Sequence, residues 1–323
     1  MKIDVTTYST VSPDSQLNTL FPRLSLRGYD IICADAMSAI GLIPDDTIHC
    51  VITSPPYFDL RSYLPEDSSS KALELGFGQT PDEYVKSMVE VFAEVKRALR
   101  PDGTIWLNLG DSYARKTSGK LKRKDLIGIP WKVAFALRDE CGLYLRAEVI
   151  WHKTNPMPES VTDRPTRAHE QLFLFTKEED YYYDAAAIRE PAVTKPHAHG
   201  ASKQATQFGT IRSGAADAAF RQPDRIWGAD GRRNKRSVWT VNVARYKGAH
   251  CATFPVALVE DCVLAGCPPE GIVLDPFAGA SSSGLAALQN GRRYLGVELN
   301  EAYCVLSEDR LNHFDVQAQP LAA

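Results

Sequence analysis

The stretch Thr53-Ser54-Pro55-Pro56-Tyr57 directly follows an apolar run that contains Ile48, Val51 and Ile52, so it lies where a buried strand is expected to end. Two consecutive prolines fix their own φ angles and keep the preceding residues extended, which makes a stiff loop with carbonyl acceptors and few backbone donors. A hydroxyl stands before the prolines and an aromatic ring after them. Such a loop suits the binding of an exocyclic amine beside a stacked ring, whereas an ordinary proline turn is the competing interpretation.

Length and composition are those of a soluble globular protein. The chain has 323 residues, of which 44% are hydrophobic and 24% charged, enough for one large domain or two moderate ones. No secretory signal or membrane-spanning run is apparent. The 7 cysteines include no CxxC pair, and their odd number favours buried thiols in a reducing cytoplasm over disulfides or zinc ligands. We therefore expect a cytoplasmic protein that does not bind a membrane.

The net charge of −3 conceals a strong asymmetry. Residues 185–250 contain 12 Lys and Arg against 4 Asp and Glu, a balance of +8, which leaves −11 for the rest of the chain. Because phosphate contacts require cations only where a polyanion backbone runs, a basic insert on an acidic body indicates a nucleic-acid site. A solvated surface loop is the alternative.

Strands and helices alternate through most of the sequence, which predicts an α/β sheet. Thr80, Pro81 and Glu83 form the capping box of a long amphipathic helix that ends near Pro101. Further apolar runs predict strands at 30–33, 48–53, 104–109, 143–151, 171–176, 272–274 and 294–297, with helices at 129–141, 254–265, 282–289 and 300–312. Periodicity disappears between about 185 and 248, where an inserted module or loop system is expected.

A second loop with chemical character leaves the predicted strand 272–274. Asp275-Pro276-Phe277-Ala278-Gly279 leads through Ala280 and three serines into a helix, and its small residues allow a ligand to approach the helix N-terminus. After the next strand, Glu298 lies where an acidic residue binds ribose hydroxyls in nucleotide-binding βαβ units. The absence of a GxGxxG pattern weakens a dinucleotide interpretation.

Together these residues resemble a β-class DNA amino-methyltransferase, the N4-cytosine and N6-adenine family that uses S-adenosylmethionine. Thr53–Tyr57 resembles the catalytic loop of the family and Asp275–Gly279 its cofactor loop. Trp151-His152-Lys153, Arg164-Pro165-Thr166 and His169-Glu170 resemble its central blocks, and Thr253-Phe254-Pro255 the segment that opens its methionine-side helix. The order of the loops, catalytic first and cofactor last, is the order that defines the β class.

The resemblance implies a fold, a domain organisation and a cofactor. The expected fold is a Rossmann-like, mainly parallel sheet with helices on both faces, permuted motif order and an irregular target-recognition insert. Residues 25–184 would be the catalytic part, 185–245 the target-recognition region and 246–316 the cofactor-binding part of the same methyltransferase domain. S-adenosylmethionine would be the methyl donor, without a metal. Double-stranded DNA would be the substrate, with a homodimer and a cognate restriction endonuclease as possible partners.

The resemblance also implies roles for individual residues. Ser54 and the Pro55 carbonyl, in the rigid loop completed by Pro56, would accept hydrogen bonds from the target amine, and Tyr57 would stack on an extruded base. The residues expected to bind the cofactor are Asp35, Thr253, Phe254, Pro255, Asp275, Phe277, Gly279, Glu298 and Asn300. For Asp35 and Glu298, helix capping is the alternative. Asn108 and Asp111 are weaker candidates for base contacts, and Ser281 departs from the glycine that relatives commonly have there.

Other features are better explained without catalysis. His197 and His199 have no further metal ligands nearby in sequence, so a metal site is not expected. Trp227 and Trp239 are expected to belong to a small core rather than to stack on bases. Clustered cations bind along a phosphate backbone without reading the base sequence, so we expect the clustered Lys and Arg residues to contact DNA phosphates. These residues are Arg115, Lys116, Lys122, Arg123, Lys124, Arg232, Arg233, Lys235 and Arg236.

The base that receives the methyl group depends on Ser54, because relatives that act on adenine more often have Asp at this position. We therefore expect N4 of cytosine in duplex DNA as the acceptor, with N6 of adenine as the alternative. A DNA-binding module without catalysis and a nicotinamide-dependent oxidoreductase are more distant hypotheses. The second of these does not account for the proline loop or the basic insert.

Overall fold

The computed structural model describes residues 13–192, 197–198, 226–227, 230–243 and 254–315. They belong to two compact units, a large one within Met1–Asp184 and Ser237–Ala323 and a small one within Ala185–Arg236. The strands are β1 (Tyr29–Cys33), β2 (Ile48–Thr53), β3 (Leu99–Leu109), β4 (Tyr144–His152), β5 (His169–Thr176), β6 (Glu190–Pro191), β7 (His197–Ala198), β8 (Ile226–Trp227), β9 (Arg232–Arg233), β10 (Val238–Thr240), β11 (Ile272–Asp275) and β12 (Arg293–Glu298). The helices are α1 (Pro13–Leu20), α2 (Pro22–Arg27), α3 (Ala36–Ile40), α4 (Pro81–Ala98), α5 (Ile129–Asp139), α6 (Val256–Gly266), α7 (Ser282–Gln289) and α8 (Glu301–Asp315).

In the described part of the large unit, 8 strands form one sheet in the order β1-β12-β11-β2-β3-β5-β4-β10. All neighbouring strands are parallel except β5, which runs antiparallel to both β3 and β4. This mainly parallel sheet with helices confirms the predicted Rossmann-like α/β fold. Because β5 is reversed, its first residues lie at the same edge of the sheet as the carboxyl ends of the other strands, and this edge carries the site described below.

Helix α4 illustrates how local sequence determines an element. The Thr80 hydroxyl accepts a hydrogen bond from the Glu83 amide at 3.3 Å, and the Glu83 carboxylate accepts one from the Thr80 amide at 2.7 Å, as the capping box predicts. Met88, Phe92 and Val95 then recur on one face and are fully buried against the sheet. The capping signal and the apolar stripe thus fix both the start of α4 and the face it buries.

Strand β3 begins earlier than the sequence predicts. The segment Pro101-Asp102-Gly103 reads as a turn, yet Leu99 already pairs with Ile48, and the pairing shifts its register before Cys50 meets Thr104. Such an irregularity accommodates extra residues within a strand, so the turn residues form a bulge inside β3 instead of its beginning.

Ser237 and the residues that follow belong to the large unit. Val238–Thr240 form β10, which pairs with β4, and the small unit ends at Arg236. The target-recognition region expected at 185–245 stays a prediction. Trp239 is 4% exposed and its ring centroid lies 5.9 Å from that of Trp106, so it is buried as expected, but within the large unit and not in a separate small core. The side chain of Trp227 lies outside the described part of the chain. Among the helices that the structure describes, none is long and apolar enough to span a bilayer.

Candidate active site

The functional side chains predicted from the sequence meet at the edge where parallel strands end. Strands β2 and β11 are neighbours, with Val51 paired to Leu274, so the loops that leave them lie side by side. Strands β12 and β1 continue the same edge. In open α/β sheets this crevice is where ligands bind. A cavity of about 440 Å³ opens there, and its wall includes Asp35, Ser54, Pro56, Phe277, Glu298 and Asn300.

Asp275 links the loop that follows β2 to the loop that follows β11. Its carboxylate accepts hydrogen bonds from the Thr53 hydroxyl at 2.7 Å, the Phe277 amide at 3.1 Å and the Ser283 hydroxyl. Burial raises the pKa of Asp275 to about 6, although the hydrogen bonds from Ser283, Thr53 and Phe277 oppose this shift. The side chain therefore ties the end of β2 to the turn after β11, and a direct contact with a cofactor stays a prediction.

Glu298 stands at the cavity wall with its carboxylate held in place. The oxygens accept hydrogen bonds from the backbone amides of Gly279 and Asn300, both at 2.8 Å. Burial raises the pKa of Glu298, and these two amide donors counteract part of that shift. Asn300 in turn caps α8 through Ala302 and donates from its side chain to the Tyr63 carbonyl at 2.8 Å. Glu298 is thus a rigid acceptor at the position expected for a ribose-binding acid.

The remaining predicted cofactor residues are distributed around the same cavity. Asp35 lines it and also caps α3, where its carboxylate accepts from the Ser38 amide at 2.9 Å. Burial raises the pKa of Asp35, but the hydrogen bonds from Ser38 outweigh it and leave the pKa below its usual value. Phe254 and Gly279 also form part of the wall, and Pro255 is the N-cap of α6. Thr253 lies outside the described residues.

Ser281 occupies a position that ordinarily favours glycine. It has φ 51° in the left-handed region, is fully buried and receives a hydrogen bond from the Tyr294 hydroxyl at 3.3 Å. The turn after β11 thus contains a left-handed residue with a side chain, and the buried hydroxyl group of that side chain has a hydrogen-bond partner.

The loop Thr53–Tyr57 is held by hydrogen bonds at Ser54, Pro56 and Tyr57. The Pro56 carbonyl accepts a hydrogen bond from the Tyr84 hydroxyl at 2.9 Å. The Tyr57 hydroxyl donates to Glu170 at 2.5 Å and accepts from the side-chain amide of Asn108 at 2.7 Å. The Ser54 hydroxyl lies 3.4 Å from the same amide nitrogen. Burial, and next the neighbouring Glu170 carboxylate, raise the pKa of Tyr57 well above its usual value, so the hydroxyl stays protonated.

The sequence placed Glu170 and Lys153 only in blocks of resemblance and gave them no role. Glu170 accepts from Asn108 at 2.9 Å and pairs with Lys153, so it is the centre of the polar cluster behind Tyr57. Glu170 reaches the site because β5 is reversed, which brings the start of that strand to this edge of the sheet. Asp111, by contrast, accepts from the amides of Gly128 and Ile129 at the start of α5, a capping position that does not favour base contact.

The predicted phosphate-binding residues are solvent-accessible. In the segment after β3, Arg115, Lys116, Lys122, Arg123 and Lys124 are exposed, and Lys124 pairs with Asp163. In the small unit Arg233 and Arg236 both pair with Glu190, at 2.7 and 2.6 Å. Arg232 is exposed and Lys235 half-buried. Within the described residues no group of three or more His, Cys, Asp and Glu side chains is placed to hold a metal ion.

A rigid acidic acceptor, an aromatic wall and a turn of small residues at the switch point of a mainly parallel sheet define a nucleotide-cofactor enzyme of the Rossmann-like class. Comparison with known proteins identifies the family within that class. Residues 48–309 match the N6_N4_Mtase family model, described as DNA methylase. The chain therefore belongs to the DNA methylases of the N6/N4 amino-methyltransferase family, as its resemblance to the β class predicted.

Several curated relatives extend over nearly the whole chain. The Type II methyltransferase M.XycI of Xanthomonas campestris pv. cyanopsidis is 39% identical over 94% of either chain, and M.Cfr9I of Citrobacter freundii is 37% identical over 93% of either chain. M.SmaI of Serratia marcescens is 38% identical over 89% of this chain and 92% of its own. The chain is a site-specific Type II DNA methyltransferase with DNA as its substrate.

Solved structures agree on the fold. The PvuII DNA methyltransferase (cytosine-N4-specific) superposes with a TM-score of 0.61 at 16% identity, covering 90% of this chain and 92% of its own. The Thermus thermophilus protein TTHA0409 in complex with S-adenosyl-L-methionine gives a TM-score of 0.55 at 23% identity over 90% and 96% of the two chains. S-adenosylmethionine is the cofactor of this family, and the described cavity fits it because the wall offers acidic acceptors and aromatic surfaces together.

Proposed function

We propose that this enzyme transfers the methyl group of S-adenosylmethionine to the exocyclic N4 amine of cytosine in duplex DNA. The observation that carries this choice is Ser54, a neutral hydroxyl directly before the two prolines of the catalytic loop and in the wall of the cavity. Relatives that act on adenine more often have Asp there. The likeness to the cytosine-N4-specific PvuII enzyme supports the fold only, so the assignment of the base rests on Ser54.

The residues around the cavity are assigned to the cofactor as follows. Glu298, with a carboxylate preset by two backbone amides, would bind the ribose hydroxyls. Asp35 would accept from the adenine amine, and the Phe277 ring would cover one face of the adenosine. Phe254, Pro255 and the predicted Thr253 would bound the methionine end, with Asp275, Gly279 and Asn300 shaping the turn. When bound, the cofactor supplies a methyl group on a sulfonium.

The catalytic loop would act by orienting the amine. The lone pair of a cytosine amine is delocalised into the ring, so the nitrogen is a weak nucleophile until its hydrogens are held by acceptors that favour a pyramidal geometry. Ser54 and the Pro55 carbonyl would be these acceptors, because the Pro56 carbonyl already accepts from Tyr84. The nitrogen would form its bond to the methyl carbon as the carbon–sulfur bond of the sulfonium breaks, which would leave S-adenosylhomocysteine, and the methylated nitrogen would release its extra proton to water. No covalent bond to the enzyme is required, unlike methylation of a ring carbon through a cysteine.

The base has to leave the helix to reach this loop, since the target atom is inaccessible within a duplex. Tyr57 would then stack on the extruded base. The exposed cations Arg115, Lys116, Lys122, Arg123 and Lys124 would contact phosphates on one side. The region 185–245, with Arg232, Arg233, Lys235 and Arg236, would recognise the target sequence. A homodimer and a cognate endonuclease remain part of the proposal.

Nucleoside analysis by mass spectrometry tests the assignment. DNA from a host without amino-methylation is incubated with the enzyme and a cofactor that carries a deuterated methyl group. We expect deuterated N4-methylcytosine. Deuterated N6-methyladenine alone would refute the cytosine assignment but retain amino-methylation, and DNA binding without any transfer would support the non-catalytic alternative. The variant Ser54→Ala is expected to retain the fold and lose most of the transfer, since an acceptor is removed.

A further inference from the structure

The polar cluster behind the catalytic loop consists of Tyr57, Asn108, Lys153 and Glu170. It lies next to Ser54, whose hydroxyl is 3.4 Å from both the Tyr57 oxygen and the Asn108 nitrogen. Lys153 and Glu170 are only 16% and 13% exposed at their side chains. A charged pair withdrawn from water to this extent is costly unless the surrounding hydrogen bonds compensate for it. The cost of burying the Lys153–Glu170 pair therefore suggests that the pair has a function in the site.

Glu170 is the acceptor on which the cluster converges. One carboxylate oxygen accepts from the Tyr57 hydroxyl and from the Asn108 amide, and the other accepts from the Lys153 ammonium. Because a carboxylate only accepts, the Tyr57 hydroxyl has to donate to it and Asn108 has to turn its NH2 group toward it. The carboxylate thus determines both the direction of the Tyr57 proton and the orientation of the Asn108 amide.

The orientation of Asn108 has a consequence for the polarity of the site. Asn108 is 2% exposed, and its carbonyl oxygen has no hydrogen-bond partner among the residues described by the structure. A buried acceptor without a partner is rare and destabilising, which points to a donor that arrives with the substrate. With the NH2 group held by Glu170, the amide offers only its oxygen to a ligand. An exocyclic amine is a ligand that supplies such a donor.

The position of the Tyr57 ring is determined from its other side. A Cβ at Gly110 would come within 2.5 Å of the ring, so the ring rests directly on the Gly110 backbone while its hydroxyl is bound by Glu170. Lys153 is held in turn, because its ammonium lies 4.2 Å from the Trp151 ring centroid. Each member of the cluster thus has a single arrangement.

We propose that Glu170 is the positioning residue of the target-amine site, fixing the Tyr57 ring and directing Asn108 so that its carbonyl oxygen shares with the neighbouring Ser54 hydroxyl one of the two hydrogens of the incoming amine, the other being bound by the Pro55 carbonyl. This inference rests on the proposed transfer to an exocyclic amine, but it requires only the amine and not the choice between cytosine and adenine. Glu170 acts through Tyr57 and Asn108. Lys153 keeps its second oxygen occupied, so that the first is free for those two donors.

The variant Glu170→Gln tests whether the carboxylate determines the direction of the hydrogen bonds of Tyr57 and Asn108. A glutamine in this place has one oxygen and one NH2 group. In one orientation the NH2 group faces the Lys153 ammonium, and in the other it faces the donors of Tyr57 and Asn108, so one donor always meets another donor. We expect kcat to fall about 100-fold, the scale of a misplacement near 1 Å, while the KM for S-adenosylmethionine stays within about 3-fold. The control Glu179→Gln, which removes the same charge from an exposed position after β5, is expected to retain wild-type kcat.

The double variant Lys153→Met/Glu170→Gln separates positioning from packing. Without the ammonium, the glutamine NH2 group faces an apolar side chain and its oxygen can again accept from Tyr57 and Asn108. We expect the double variant to recover at least 10-fold in kcat over Glu170→Gln, a non-additive result that reports direct coupling. Circular dichroism and cofactor titration of the same preparations establish folding.

The outcomes are distinct. Glu170→Gln with kcat within about 3-fold of the wild type, or with its loss confined to KM, would overturn the inference, as would a double variant no faster than Glu170→Gln. If Glu170→Gln does not fold, a folded and active double variant supports the inference and an inactive one overturns it. The wild type is assayed with unmethylated bacterial genomic DNA. No methyl transfer by the wild type would refute the proposed function itself, whereas transfer to adenine would leave the role of Glu170 standing.

Discussion

The substitution Gly110→Ala should disturb catalysis by moving Tyr57. A Cβ built on Gly110 lies 2.5 Å from Cε2 and 2.8 Å from Cδ2 of the Tyr57 ring. Carbon atoms in contact are about 3.5–4.0 Å apart, so the ring has to move by about 1 Å. Its hydroxyl is bound to Glu170 and Asn108, which prevents a simple rotation out of the way. Overpacking of this kind costs about 1–3 kcal/mol in stability.

The assay compares single-turnover methyl transfer and urea unfolding of the purified variant with the wild type. We expect the transfer rate to fall about 100-fold, because a displacement near 1 Å in a positioned group has effects of that size. Tyr57→Ala supplies the control, since it removes the ring that Gly110→Ala would strike. In that background the second substitution should leave the free energy of unfolding unchanged within about 0.5 kcal/mol. A Gly110→Ala enzyme with wild-type rate and stability would refute the packing argument.

Three further predictions concern the cofactor turn and the DNA surface. Glu298→Gln should weaken binding of S-adenosylmethionine by about 10- to 100-fold in calorimetry, because the amide NH2 group would face the backbone donor of Gly279 or Asn300; unchanged affinity would contradict the role of Glu298. Burial raises the pKa of Asp275 from 3.8 to about 6, so the native state binds more protons than the unfolded state between these pH values. The free energy of unfolding should therefore fall by about 3 kcal/mol as the pH rises through this range, relative to Asp275→Asn. Urea unfolding that gives parallel pH curves for the two proteins would contradict this. Lys122→Gln should reduce the salt dependence of DNA binding by about 0.9 in the log–log slope, whereas Lys86→Gln on α4 should not, and equal slopes would exclude a phosphate contact at Lys122.

Local signals in the sequence were sufficient for much of the fold. Thr80, Pro81 and Glu83 predict the start of α4, and the helix 282–289 is found with the predicted bounds. The catalytic and cofactor loops follow strands predicted from apolar runs. Such features depend on interactions within a few residues, which a single sequence contains. Strand β3 was mispredicted at its beginning because the pairing of Leu99 with Ile48 overrides the turn preference of the residues between.

The polar cluster was beyond sequence reasoning for a physical reason. Glu170 binds a hydroxyl group 113 residues away and an amide 62 residues away. These contacts depend on strand order and on the antiparallel direction of β5, which local propensities do not determine. Asn108 was a weak candidate on its own, and its orientation becomes meaningful only once Glu170 lies beside it. Asp111, the other weak candidate, has the same strand-end signal but caps α5.

The central claim is methyl transfer to the N4 amine of cytosine within a specific DNA sequence. Sequencing with modification calling, on genomic DNA from a methylation-deficient host that expresses this chain, tests the base and the site in one measurement. The account predicts one recognition motif whose copies carry N4-methylcytosine at the same position, and loss of that signal when Ser54→Ala is expressed at the same level. Modified adenine in the motif, or no modified motif, would contradict it.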